Sequence, residues 1–179
     1  MPDKKKRPIT AGELLAQLNK DPEFVRRQRE REQKRLAEVA KLRAELRPEQ
    51  DPLLADLAKV GHPVESVWDL VNSKAKYPTA VPVLVKYLRI ARHPVLREGI
   101  ARALTVPEAR GAPAREILKE LKRSADDQSK NEVRFALANA LAKTGDASMA
   151  AEIETMISDP RFADLHNILR LVLKKIAAR

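Results

Sequence analysis

From residue 78 onward apolar side chains return every three or four positions, and no segment alternates at every second position. VPVLVKYL (81–88), AREILKEL (114–121) and AAEIETMI (150–157) share this spacing. So do HPVLREGIARAL (93–104), NEVRFALANAL (131–141) and ADLHNILRLVL (163–173). A period between three and four puts one stripe of apolar side chains along a helix, so the pattern predicts three consecutive pairs of amphipathic helices. The pairs also superimpose. Leu88, Leu121 and Ile157 close the first helices at spacings of 33 and 36, and Leu104, Leu141 and Leu173 mark the second helices at 37 and 32. Two helices per unit at such a period, each pair unable to hide its own apolar face, predict an all-α chain built as an α-solenoid of stacked antiparallel pairs.

Upstream the pattern loosens. Thr10-Ala11-Gly12-Glu13 has capping-box form and precedes LLAQL, which predicts a short helix to about Lys20. Asp21-Pro22 restarts the chain, and FVRRQREREQKRLAEVAKLRAEL reads as one long charged helix ending near Pro48. Arg26–Arg35 holds no apolar residue and is expected in solvent, whereas Leu36, Val39, Ala40 and Leu46 offer a narrow stripe for docking. Asp51-Pro52 is expected to open the next helix, LLADLAKV, closed by Gly61, and Pro63 to open PVESVWDLVN. The organisation expected is a loose basic tail over 1–9 and a charged helical extension over 10–50. A repeat domain over 51–179 follows, with three pairs and a capping helix region before them.

Particular residues strengthen the repeat. Pro82-Val83-Leu84-Val85-Lys86-Tyr87-Leu88 resembles the P-x-L-x-x-x-L first helix of HEAT-like repeats. Leu96-Arg97 with Ile100-Ala101, and Val133-Arg134 with Leu137-Ala138, resemble that family's V-R-x-x-A second helix. The chain is also similar to small bacterial HEAT-repeat proteins. The family's aspartate after the first helix survives only as Asp159, the matching positions being Ile90 and Arg123, and the third unit has His166 in place of the arginine. The resemblance implies the fold and, for the arginine row, a ladder in which each cation bonds a carboxylate or carbonyl of the next unit. A fold of this kind hosts many functions.

Composition narrows the chemistry. Hydrophobic residues are 44% of the 179, enough for a core, while aromatics are only 3%, so alanine and leucine carry the packing. There is no cysteine, which excludes disulfides and thiolate metal sites and suits a cytoplasmic setting. No apolar run approaches the ~20 residues of a membrane span, and no leader-like apolar segment follows the first charges. Thirty-five Lys and Arg against 25 Asp and Glu give a net charge of +10, densest in the first 50 residues, where 14 face nine. Such a balance favours encounter with polyanions without specifying one.

Nothing in the sequence assembles a catalyst. His62, His93 and His166 are scattered, the first two before prolines at expected helix starts, and no ligand spacing suggests a metal. The serines have no histidine neighbour and the five glycines form no phosphate-cradling loop, so no cofactor and no small-molecule substrate are expected. Trp68, the only tryptophan, lies between Val67 and Leu70 on an apolar stripe and reads as packing. The expected function is a non-enzymatic protein-interaction scaffold whose concave face binds an acidic surface or peptide of another protein. Its candidate binding row along the second helices is Arg97, Arg102, Arg134, Asn139, His166 and Arg170. The alternative is phosphate-backbone binding to nucleic acid through the basic surface, without base stacking because no aromatics interleave the cations.

Overall fold

The capping box at Thr10 forms: Glu13 N donates to the threonine hydroxyl at 3.3 Å, and Thr10 N donates to the Glu13 carboxylate at 3.0 Å. The computed structural model describes residues 9–125 and 131–178. Nine α-helices and no strand occur among the described residues. They are α1 (Ala11–Leu18), α2 (Pro22–Lys59), α3 (Val67–Val71), α4 (Ala80–Ile90), α5 (Pro94–Ala103), α6 (Ala112–Arg123), α7 (Asn131–Thr144), α8 (Ala150–Ser158) and α9 (His166–Ala177). The basic tail expected over 1–9 lies outside the described residues except for Ile9.

The chain divides into two units at Glu45/Leu46. In the first, α1 buries none of its residues, and Arg26–Arg35 of α2 stands in solvent as its lack of apolar residues requires. Leu36 and Val39 are 54% and 38% exposed. The narrow stripe expected for docking therefore contributes only Leu46 to a core.

The second unit begins with a correction. No helix ends near Pro48 and none starts at Asp51-Pro52, because α2 runs through both prolines to Lys59. Each proline lacks an N–H, which leaves the carbonyl four residues earlier without its helical donor. Both prolines sit on the exposed side of the helix, where water can bond the carbonyls left without a donor. On the opposite side Leu46, Leu53 and Leu57 are buried, seven and four residues apart, and hold the helix on one line. Gly61, at φ +89°, then ends the helix as expected, with His62 N donating to Leu57 O at 2.9 Å.

The next helix also differs from expectation. Pro63 does not start it; α3 begins after Ser66, whose hydroxyl accepts from Trp68 N while Asp69 accepts from Ser66 N at 2.9 Å. The Ser66-x-x-Asp69 cap outcompetes the proline because it satisfies two backbone donors at once.

From α4 onward the expected pairs form. α4 packs on α5, α6 on α7, and α8 on α9. Between pairs, α4 meets α6, while α3, α5, α7 and α9 contact one another in sequence. Leu84, Leu88, Ile117, Leu121, Leu137 and Leu141 are fully buried at the repeated positions. Ile157 and Leu173, the same positions in the last pair, are only half-buried, since no further pair covers them among the described residues. Fully burying one such side chain contributes roughly 1.5–3 kcal/mol.

Close approach makes Gly99 necessary. A Cβ on Gly99 of α5 would meet Val67 Cγ1 at 2.6 Å and Trp68 Cε2 at 3.2 Å, so α3 lies almost on the α5 backbone. Gly99→Ala is expected to cost about 1–3 kcal/mol by overpacking. Its emission spectrum should shift as Trp68, the only tryptophan, is pushed towards water. An unshifted spectrum at full stability would contradict the packing.

Candidate interaction face

The second helices α5, α7 and α9 carry the expected row, and they divide it between interior and surface. Arg97 is buried; its Nη2 lies 3.5 Å from Glu120 Oε2 on α6, in the following pair. Arg134, its side chain 12% exposed, pairs with Asp164 at 3.1 Å and donates to the carbonyl of Arg161 at 2.6 Å, again in the following pair. Its guanidinium also lies over the Phe162 ring, 5.4 Å from the centroid. These two arginines are ties between successive pairs, which is the ladder rather than a surface row.

The carboxylates are not the expected ones. Asp159, the surviving family-like aspartate, accepts from its own neighbour Arg161, both backbone and side chain. Glu120 and Asp164 take the ladder role instead. Burial pushes the Glu120 carboxyl above its ordinary range, while Arg123 and then Arg97 pull it back. His166 occupies the third rung half-buried, with its Nε2 enclosed and given no hydrogen-bond partner.

Parallel ties join the first helices. Lys86 on α4 reaches Asp56 on α2 at 2.8 Å, and Tyr87 donates to the same carboxylate at 3.0 Å. Together with Lys59 these donors hold the Asp56 carboxyl far below the usual range. Arg115 and Lys122 on α6 converge on Glu152 of α8 at 2.8 and 2.9 Å. Glu49 accepts from the backbone N–H groups of Arg92 and His93, and His93 caps α5 by accepting from Val95 N. His93, placed before Pro94 at the expected helix start, is thus the N-cap of α5. His62 instead follows the end of α2 and contacts Thr79 Oγ1 at 2.8 Å.

The remaining row residues reach the surface. Arg102 is exposed, bonded to Glu98 at 2.8 Å and set 6.0 Å from the Trp68 ring. Asn139, half-buried, donates back to Phe135 O at 3.1 Å. Arg170 is exposed where Ala101 and Ala138 of the earlier pairs are fully buried. Arg97, Arg134 and His166 therefore form one line of positions, and Arg102 and Asn139 another, five residues further along each helix.

Counting from that line gives a grid of exposed and half-buried positions that the sequence pattern does not single out. One residue on lie Glu98, Phe135 and Asn167; five on lie Arg102, Asn139 and Leu171; nine on lie Lys143 and Lys175, α5 having ended at Ala103. Phe135 is 48% exposed and Leu171 41%, and no other large apolar side chains of α5, α7 and α9 are this open. At the N-terminal end of the grid a cleft of about 210 Å³ opens between the first turns of α5 and α7, lined by Glu98 and Glu132. At the other end the cations gather: Lys143, Lys174 and Lys175 are all exposed. The superposition of the repeats could have revealed the grid, had equivalent positions been compared across helices as well as along them.

Among the described residues no group of three or more His, Asp or Glu could hold a metal ion, and no helix is long and apolar enough to cross a membrane. Comparison of the chain with protein-family models, with curated proteins and with solved structures finds no match to any of the three.

Proposed function

We propose that this chain is a non-enzymatic protein-interaction scaffold: a HEAT-like α-solenoid whose second helices line a concave face and bind another protein there. The single observation that carries the reading is the division of the repeated polar positions. Arg97 and Arg134 are consumed in holding successive pairs together, while five residues on Arg102 and Leu171 are exposed and Asn139 is half-buried. Repeat stacks present extended surfaces of this kind because each unit adds the same exposed strip beside the last. The setting proposed is cytoplasmic.

Exposed positions are the ones to perturb, since changing Arg97 or Arg134 would loosen the stack itself. The full chain carrying Arg102→Glu and Arg170→Glu is expected to keep its helical circular dichroism and lose the partners that the wild-type chain recovers from its native host. Recovery of the same partners in the same amounts would assign binding to another surface.

The net charge of +10 and the solvent-facing arginines of α2 favour a second reading, contact with nucleic-acid phosphates. Multi-phosphate contact survives at about 150 mM salt with micromolar affinity and falls steeply as salt rises. A salt titration of a 20-base-pair duplex against the full chain separates the two. Absence of binding at about 150 mM removes the second reading.

A further inference from the structure

The proposed face has a chemistry of its own, and it points to one kind of partner. Phe135 and Leu171 sit on neighbouring helices, one and five residues beyond the buried line, so they lie diagonally across the grid. An exposed phenylalanine and leucine on adjacent helices give an apolar seat too small to drive a stable complex alone. The charge around them is not neutral. Towards the C-terminal ends of α5, α7 and α9 the seat is bordered by Arg102, Lys143, Lys174 and Lys175, whereas its carboxylates, Glu98 and Glu132, lie towards the other end. Glu98 and Arg102 pair with each other at 2.8 Å, so the excess of positive charge comes from the lysines.

Resting on the interaction reading above, we infer that the partner is an acidic segment carrying bulky apolar side chains, which crosses the second helices and seats those side chains on Phe135 and Leu171. Its carboxylates face the cationic border. Complementary charge then sets orientation and association rate, and the apolar seat supplies residence time. A polyphosphate strand satisfies the border but has nothing to place on the two apolar side chains. This preference for an acidic peptide over nucleic acid is the sharp content of the inference.

Fluorescence anisotropy with the full chain tests it, using three fluorescein-labelled 20-residue peptides. One alternates glutamates with leucines at helical spacing, the second replaces those leucines by serine, and the third replaces the glutamates by lysine. A 20-nucleotide single strand serves as the phosphate probe. The leucine–glutamate peptide is expected to bind most tightly, and Phe135→Ser with Leu171→Ser to weaken it by about tenfold. Lys143→Glu with Lys175→Glu should slow its association at low salt. Both variants alter exposed residues, and unchanged helical circular dichroism certifies each before binding is read.

Three results overturn the inference. The serine peptide or the single strand binds as tightly as the leucine peptide; the lysine peptide binds equally well; or the leucine–glutamate peptide fails to bind at millimolar concentration. These outcomes leave the interaction reading standing if Arg102→Glu with Arg170→Glu still abolishes recovery of native partners. If that pair also changes nothing, the face itself is wrong.

Discussion

Leu137→Ala is expected to be the most damaging conservative substitution in the chain. Leu137 is fully buried on α7, the helix that touches α5, α6 and α9, so the cavity opens where three neighbours meet. Removing a leucine side chain from such a site costs about 2–5 kcal/mol, the lost transfer energy plus the void that rigid neighbours leave unfilled. Alanine suits a helix, so little of the loss comes from the backbone. For a chain of this size the melting temperature should fall by about 10 °C. Thermal melting followed by circular dichroism checks this, and a fall of only a degree or two would mean that α7 is not held from three sides.

Glu120→Ala is expected to come next, at about 1–3 kcal/mol, and it tests the ladder. The substitution takes away the Glu120 carboxylate that lies 3.5 Å from the buried Arg97 guanidinium, and reducing the compensation of a buried charge is costly. Glu120→Gln keeps an acceptor and should cost far less. Arg97→Met with Glu120→Leu should cost less than the sum of the two single substitutions, because two interacting charges leave together.

The pH dependence has a definite sign. Burial raises the Glu120 carboxyl in the folded state above its unfolded value, so the native chain binds the extra proton. Stability from this group therefore falls as pH rises through the window between the ordinary carboxylate range and the raised value. Relative to Glu120→Gln, the wild-type chain should gain stability as pH is lowered from 7 through that window. Denaturant midpoints measured across it check the direction, and a gain with rising pH would place Glu120 among the stabilised carboxylates instead.

The repeated pairs were legible in the sequence because each helix from α4 to α9 buries a stripe, and burial writes a period of three to four into the chain. The prolines were misleading. Pro48 and Pro52 signal a break by local rules, but Leu46, Leu53 and Leu57 lie on the far side of the helix and their burial overrides the two missing hydrogen bonds. The start of α3 was visible in Ser66-x-x-Asp69 and was masked by the nearer proline signal.

The site was legible in its lines of equivalence and not in its exposure. Arg97 and Arg134 occupy equivalent positions in the sequence and each bonds into the following pair, yet their carboxylates, Glu120 and Asp164, stand at positions the family-like pattern does not mark. Phe135 looks like core in NEVRFALANAL because periodicity counts it as apolar. Only the placement of α5 and α9 on either side of α7 decides that its side chain faces water.

The nearest-neighbour order of α3 to α9 also governs how the chain finds its fold. Its ties reach short distances along the polymer: Arg97 to Glu120 closes 23 residues, and Arg115 to Glu152 closes 37. Short closures lose little chain entropy, so successive hairpins can condense as soon as they leave the ribosome, each templating the next without waiting for the C-terminus.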